Sequence, residues 1–244
     1  LLACAGSREI IDFPSAKISK EALLDTLANR DALLTGILGR MSVEVESPTV
    51  SASFDADYYF TSPDSFRANI RGLLGTTPGA IVSIADSVAA YFPGSGTLFV
   101  AVGEPDSENP VLGLSIQFGD IVSAMIGIFA PEDGDSLVGF SNNDNLYELL
   151  FDRGDFIRLG VLPTLWVVSS KQIYNTDGTA LIDIGYDGFT ERAGIVRPSQ
   201  IILTSPMRGE KITIHIEKEY IGRELPEGTF DIEVREDVIV WNLL

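Results

Sequence analysis

Val50-Ser51-Ala52-Ser53-Phe54-Asp55-Ala56-Asp57-Tyr58-Tyr59-Phe60 is the stretch that decides the fold class. Val50, Ala52, Phe54, Ala56, Tyr58 and Phe60 fall on one phase of a two-residue period and Ser51, Ser53, Asp55 and Asp57 on the other. An extended strand here has one dry face and one wet face. The same alternation flanks it. Upstream, Met41, Val43 and Val45 interleave with Ser42, Glu44 and Glu46. Downstream, past Ser62-Pro63-Asp64, the residues Phe66, Ala68, Ile70, Gly72 and Leu74 alternate with Ser65, Arg67, Asn69 and Arg71. The pattern predicts an antiparallel hairpin whose inner face is apolar.

Working outward, strands are predicted at 88–92 and 97–102 across the turn Pro93-Gly94-Ser95-Gly96, and at 164–174, 179–186, 200–204, 211–217 and 229–235. Helical spacing is present at Leu23, Leu24, Leu27 and Ala28, with Ser19 placed to cap and Glu21 in the first turn. It recurs at Ile121, Val122, Met125, Ile126 and Phe129, and a further short helix is expected over 145–151. Residues 5–17, polar, aperiodic and containing Pro14, read as a tether, so 1–17 stands apart from one domain over 18–244. The fold class is mainly β, with helices inserted (α+β).

Composition bounds the function. Hydrophobic residues make up 45% of the 244 and charged ones 21%, so the chain buries much apolar surface or keeps some for a ligand. The net charge of −18 opposes phosphate backbones and anionic headgroups, which excludes nucleic acid as an expected partner and leaves electrostatics unable to hold the protein on a membrane. Catalytic parts are scarce. His215 is the single histidine and sits on the polar phase of its strand, Tyr91-Phe92-Pro93-Gly94-Ser95-Gly96 lacks the spacing of a nucleophile elbow, and Gly72-Leu73-Leu74-Gly75-Thr76-Thr77 lacks the lysine of a phosphate loop. No enzyme activity and no cofactor are expected. Glu132-Asp133-Gly134-Asp135 and Asn142-Asn143-Asp144-Asn145 are oxygen-rich, but their spacing fits no EF-hand and a solvated acidic loop is the expectation, with no metal. Arg67 and Arg71 share a polar phase, where they could meet an anionic headgroup or a partner's acidic patch; outward salt bridging to Asp55 or Asp57 explains them as well.

The single cysteine, Cys4, follows Leu1-Leu2-Ala3 and precedes Ala5-Gly6-Ser7. This run resembles the lipobox of bacterial lipoproteins. The resemblance implies that Cys4 carries acyl chains, each buried methylene contributing ~0.8 kcal/mol to membrane attachment. Ala5, where some bacteria read an aspartate as a retention signal, implies the outer membrane, facing the periplasm.

Arg71-Gly72-Leu73-Leu74-Gly75 with Pro78, then Tyr91-Phe92-Pro93-Gly94, and at the end Pro198-Ser199-Gln200-Ile201, Ile212-Thr213-Ile214-His215-Ile216, Leu225-Pro226 and Phe230-Asp231-Ile232 are similar in order and spacing to the LolA/LolB-like lipoprotein-carrier superfamily. The resemblance implies an open antiparallel β-barrel of about eleven strands, with helices lidding an apolar cavity that takes acyl chains of a lipid or lipoprotein. Phe54, Tyr58, Ile70, Leu74, Leu98, Val100, Trp166 and Val168 are then expected on the concave wall and Met125 on the lid. A branch of that superfamily carries an apolar tip on a strand connection; Thr61-Ser62-Pro63-Asp64-Ser65 is polar, so no such tip is expected there. The alternative to a carrier is an interaction or scaffolding module with a filled barrel.

Overall fold

The one-sided strand at 50–60 pairs on both sides. In the computed structural model, which describes residues 18–243 except 63, 74–75, 103–113, 132–133 and 144–145 and leaves out the side chains of Asn143 and Leu243, β2 (Ser51–Thr61) lies between β1 (Gly36–Glu46) and β3 (Ser65–Ile70). Val43 faces Phe54 and Met41 faces Ala56 on one side, while Tyr58 faces Ala68 and Phe60 faces Phe66 on the other. The apolar phases coincide across the three strands, which is what pins their register.

The sheet continues through β4 (Gly79–Ile84), β5 (Ser87–Phe92) and β6 (Thr97–Val102) on one flank. On the other flank come β15 (Glu210–Ile221), β14 (Gln200–Ser205), β11 (Ala180–Asp187), β10 (Val167–Tyr174), β9 (Phe156–Leu162), β8 (Leu146–Asp152) and β7 (Ser136–Asn143). With β16 (Ile239–Leu243) beside β6, the order is β16-β6-β5-β4-β3-β2-β1-β15-β14-β11-β10-β9-β8-β7, and β12 (Thr190–Arg192) and β13 (Ile195–Arg197) form a separate ribbon.

The expectation of about eleven antiparallel strands is corrected on three counts. Among the described residues the sheet has fourteen strands, β16 runs parallel to β6, and β16 and β7 stay at opposite edges so that the sheet does not close. Where a helix was expected over 145–151, Leu146–Asp152 is a strand, because Tyr147, Leu149 and Phe151 are buried on a two-residue period between half-exposed neighbours. No strand forms over 229–235; that stretch belongs to a strap, 222–238, which crosses the outer face of β2–β5 on its way to β16.

Among the described residues, two helices fill the curve of the sheet. Helix α1 (Lys20–Asp31) is capped by Ser19, whose side chain accepts the Ala22 N–H, and it buries Leu23 and Leu27. Helix α2 (Phe118–Ile126) buries Ile121, Ala124, Met125 and Ile126 and ends at Gly127, whose φ of 68° is the left-handed cap position that glycine tolerates best. The continuous core spans β1–β3, β8–β11, β14 and β15 under these helices.

One irregularity decides what enters that core. Between β1 and β15 the pairing steps from Met41–Ile216 to Arg40–Lys218, leaving Glu217 as an extra residue. Such a bulge switches the phase of the strand beyond it. Lys218 is therefore turned out and Glu219 turned in, opposite Gly39.

Candidate functional site

The concave side is built in two parts, a polar node under the helices and an apolar wall beyond them. The node centres on Glu219. Tyr58 reaches it from β2 by crossing Gly39: a Cβ on that glycine would lie 2.5 Å from the Lys218 carbonyl oxygen and 2.7 Å from the tyrosine ring. With the way clear, the Tyr58 hydroxyl donates to Glu219 Oε1 at 2.6 Å. Arg197, only 1% exposed, donates from Nε to Oε2 at 3.1 Å and from Nη2 to Oε1 at 2.9 Å, the paired geometry that a planar guanidinium and a carboxylate favour. Arg192 adds a contact to Oε2 at 3.2 Å.

Arg197 also fastens α2. Its Nη2 donates to the Met125 carbonyl at 2.8 Å and its Nη1 to that of Ile126, so a cation sits on the carbonyls left open at the helix C-terminus. A second clasp joins the helices: Arg30 donates to the Gly127 carbonyl at 2.8 Å, and Asp31 accepts the Phe129 and Ala130 N–H groups, each at 2.6 Å. Burial alone would raise the Glu219 pKa, but the Arg197 charge and the hydrogen bonds from Arg197 and Tyr58 hold it below the ordinary glutamate value. Burial pulls Arg30 down to about 10, helped by the nearby Arg197 charge.

The apolar wall lies on β3–β6. Following the ladder from Tyr58 through Ala68, Ile81 and Ala90 to Phe99 fixes the concave phase, which places Ile70, Gly79, Val88, Phe92 and Phe99 on it. Phe92 and Phe99 meet edge to face with centroids 6.2 Å apart. Gly79 makes room for them, since a Cβ there would stand 2.8 Å from the Phe92 ring and 3.1 Å from Ile70 Cδ1. Ile70, Val88, Phe92 and Phe99 are half-buried and lie beyond the continuous core, while Ile81 and Ala90 between them are buried, so among the described residues this wall keeps part of its apolar surface accessible.

The residues expected to line a cavity divide. Tyr58, Met125 and Val168 are buried in the core; Phe54 and Trp166 are half-buried against it, Trp166 stacking on Tyr147 at 5.9 Å. Ile70 is on the wall. Leu98 and Val100 are on the opposite, convex face, because β6 takes its phase from Val88, Ala90 and Phe92 of β5. Cys4 and Leu74 lie outside the described residues. Phe92, Phe99, Arg197 and Glu219 escaped the sequence reading. The available signal was Gly39 inside a strand pattern, which marks a close approach of other atoms.

Other expectations resolve locally. Arg71 and Arg40 both bridge to Asp57, at 3.4 and 3.1 Å, whereas Arg67 donates to the Thr229 and Asp231 carbonyls and so holds the strap. A cleft of about 550 Å³ remains between strap and sheet, lined by Tyr59, Arg67, Tyr91 and Asp231 among others. His215 faces outward between Ser42 and Gln200. In the acidic segment Glu132, Asp133, Asp144 and Asn145 lie outside the described residues; Asp135 takes two hydrogen bonds from Arg153, at 2.6 and 2.8 Å, and no group of three metal-ligating side chains is present among the described residues. Phe60 and Phe66 are buried as expected, yet the β3–β4 connection carries an apolar tip in Leu73, 88% exposed.

Solved structures share this fold. A DUF1329 family protein from Desulfovibrio piger superposes with a TM-score of 0.66 at 12% identity, over 86% of this chain and 96% of that one. A putative outer membrane lipoprotein-sorting protein domain from Vibrio parahaemolyticus gives 0.64 at 12% identity, over 87% and 97%, and a LolA superfamily protein from Nitrosomonas europaea gives 0.61 at 14%, over 88% and 98%. The chain has the LolA-type fold. No protein-family model matches it, and no curated protein does. Within the LolA-type frame, the helices sit on the concave side that the node and the wall line.

Proposed function

We propose that this chain is a lipid-anchored envelope protein of LolA type, one domain from residue 18 onward, that holds acyl chains of a lipid or lipoprotein on its concave side. The observation that carries the reading is the open apolar wall of Ile70, Phe92 and Phe99 on a LolA-type sheet. Binding would be non-covalent and hydrophobic, and no catalytic step is assigned. Organic extraction of the purified protein followed by mass spectrometry tests it. Bound acyl species are expected, and Phe99→Asp, which places a charge on the wall, is expected to lower their amount about tenfold with the melting temperature little changed. A protein that yields no acyl species, or a variant that keeps them all, overturns the reading. The packed middle of the concave side, with Tyr58, Met125 and Val168 buried, then favours the interaction module instead.

The anchor is Cys4, with 1–17 as lipobox remnant and tether, and the site of action is the periplasmic face of the outer membrane. Expressed behind its native signal peptide, Cys4→Ser is expected to move the protein from the membrane fraction to the soluble one. Persistence in membranes after a salt wash would show that something other than acylation holds it there.

A further inference from the structure

Among the described residues, β16 is an edge strand without the usual protection. Ile239, Val240 and Trp241 are 57%, 51% and 56% exposed, and the described part of the strand carries no lysine, no proline and no register shift. Natural edges that are not meant to pair are blunted by such features. The Ile239 N–H points inward, donating to the Gly96 carbonyl at 2.8 Å, so by alternation Val240 presents its N–H and C=O outward. Both faces beside this edge are apolar. On the convex side Val240 adjoins Leu98, and Val100 and the exposed Val102 continue the patch; on the concave side Trp241 adjoins Phe99.

The surroundings select the occupant. The strap that leads into β16 carries Glu224, Glu227, Asp231, Glu233, Glu236 and Asp237 against Arg223 and Arg235, and Asp86 is exposed in the β4–β5 turn. With a net charge of −18, a second copy of the chain and an anionic bilayer are both repelled. We infer that β16 is a docking edge for an extended segment of a partner protein, apolar on both faces and flanked by lysine or arginine, which joins the sheet as a further strand. Main-chain hydrogen bonds to Val240 would hold it, apolar contacts with Val240 and Trp241 would fix its two phases, and the acidic strap would steer it. This docking does not rest on the acyl-chain reading, because its contacts are Val240 and Trp241 at the rim, Trp241 only bordering the wall at Phe99.

The probe is a fluorescein-labelled peptide with a Val-Ile-Val-Tyr-Val centre and two lysines at each end, titrated with the full chain and read by anisotropy. Saturable binding is expected, weakened about tenfold both by Val240→Pro, which removes the outward N–H, and by exchanging the flanking lysines for glutamates. Val240→Lys, which keeps the strand and blunts the edge, should weaken it similarly and serves if the proline variant melts early. No anisotropy rise, or equal binding by both Val240 variants, overturns the proposal. So does sedimentation that finds a dimer dissolved by Val240→Lys, or flotation of the cysteine-free chain on phosphatidylglycerol vesicles that depends on Val240; these would assign the edge to a second copy or to a lipid surface.

Discussion

Glu219→Ala lowers the stability of this protein by about 3–5 kcal/mol, the range expected when one partner of a buried ion pair is removed. The effect is large because Arg197, 1% exposed, then keeps its charge with only the Met125 and Ile126 carbonyls to answer it, and Tyr58 loses its acceptor. Urea unfolding gives the measurement, as a fall in midpoint at unchanged slope. Replacing both members, Glu219→Leu with Arg197→Met, should recover much of the loss, since a packed apolar pair needs no desolvation. If the single variant loses less than about 1 kcal/mol, the range typical of an exposed pair, the node is hydrated and the buried geometry is wrong.

Acid reports on the same group. Glu219 has its pKa depressed in the fold, so its contribution is complete above the unfolded value near 4.5 and is lost as pH falls through the depressed folded value. Asp31 works the other way. Burial raises it despite the Ala130 and Phe129 amides and Arg30, so lowering the pH through its raised value toward the unfolded value of 3.8 returns stability. Glu219→Gln is therefore expected to remove the loss of stability below pH 4.5 and to leave the Asp31 component in place.

Gly39→Ala is the second large effect, a loss of about 1–3 kcal/mol from overpacking. The added methyl meets the Lys218 carbonyl oxygen at 2.5 Å as well as the Tyr58 ring, and the former is backbone that cannot rotate away. Truncating the ring in Gly39→Ala/Tyr58→Ala thus relieves only part of the strain. Gly185 supplies the control: it lies exposed within β11 with nothing within 4 Å of its would-be Cβ, so Gly185→Ala should be neutral or slightly stabilising. Equal losses at the two glycines would mean that backbone freedom, not space, sets the cost.

These residues mark the boundary of what the sequence could tell. The β2–β3 hairpin was legible because its wet phase is made of serine, aspartate, arginine and asparagine, which fixes the inward side without further information. α1 was legible through Ser19 and the leucine spacing. β6 was not: Leu98, Phe99, Val100, Ala101 and Val102 are apolar on both phases, and only pairing with β5 decides that Phe99 faces in and Leu98 out. In β8, Leu146, Leu149 and Leu150 mimic helical spacing while the true period is carried by Tyr147, Leu149 and Phe151. The segment 229–235 alternates like a strand, but Arg67 takes two of its carbonyls with a side chain in place of a ladder. The node was illegible for a different reason, since Glu219 reads as an outward residue of a polar run until the strand slips by one.

That slip makes the sign of the interior charge depend on counting. Pair Glu217 in the ladder opposite Arg40 instead of leaving it bulged, and the strand beyond Ile216 keeps a simple alternation that brings Lys218 to the inward place now held by Glu219. The carboxylate that two guanidiniums share would be exchanged for a third cation, under helices that offer only carbonyls in reply. Most register slips merely trade one surface for another; this one would fill the centre with mutual repulsion. The extra residue thus acts as a proofreader for the β1–β15 pairing, because a chain that zips one residue out of step cannot neutralise Arg192 and Arg197 and is driven back to the register that can.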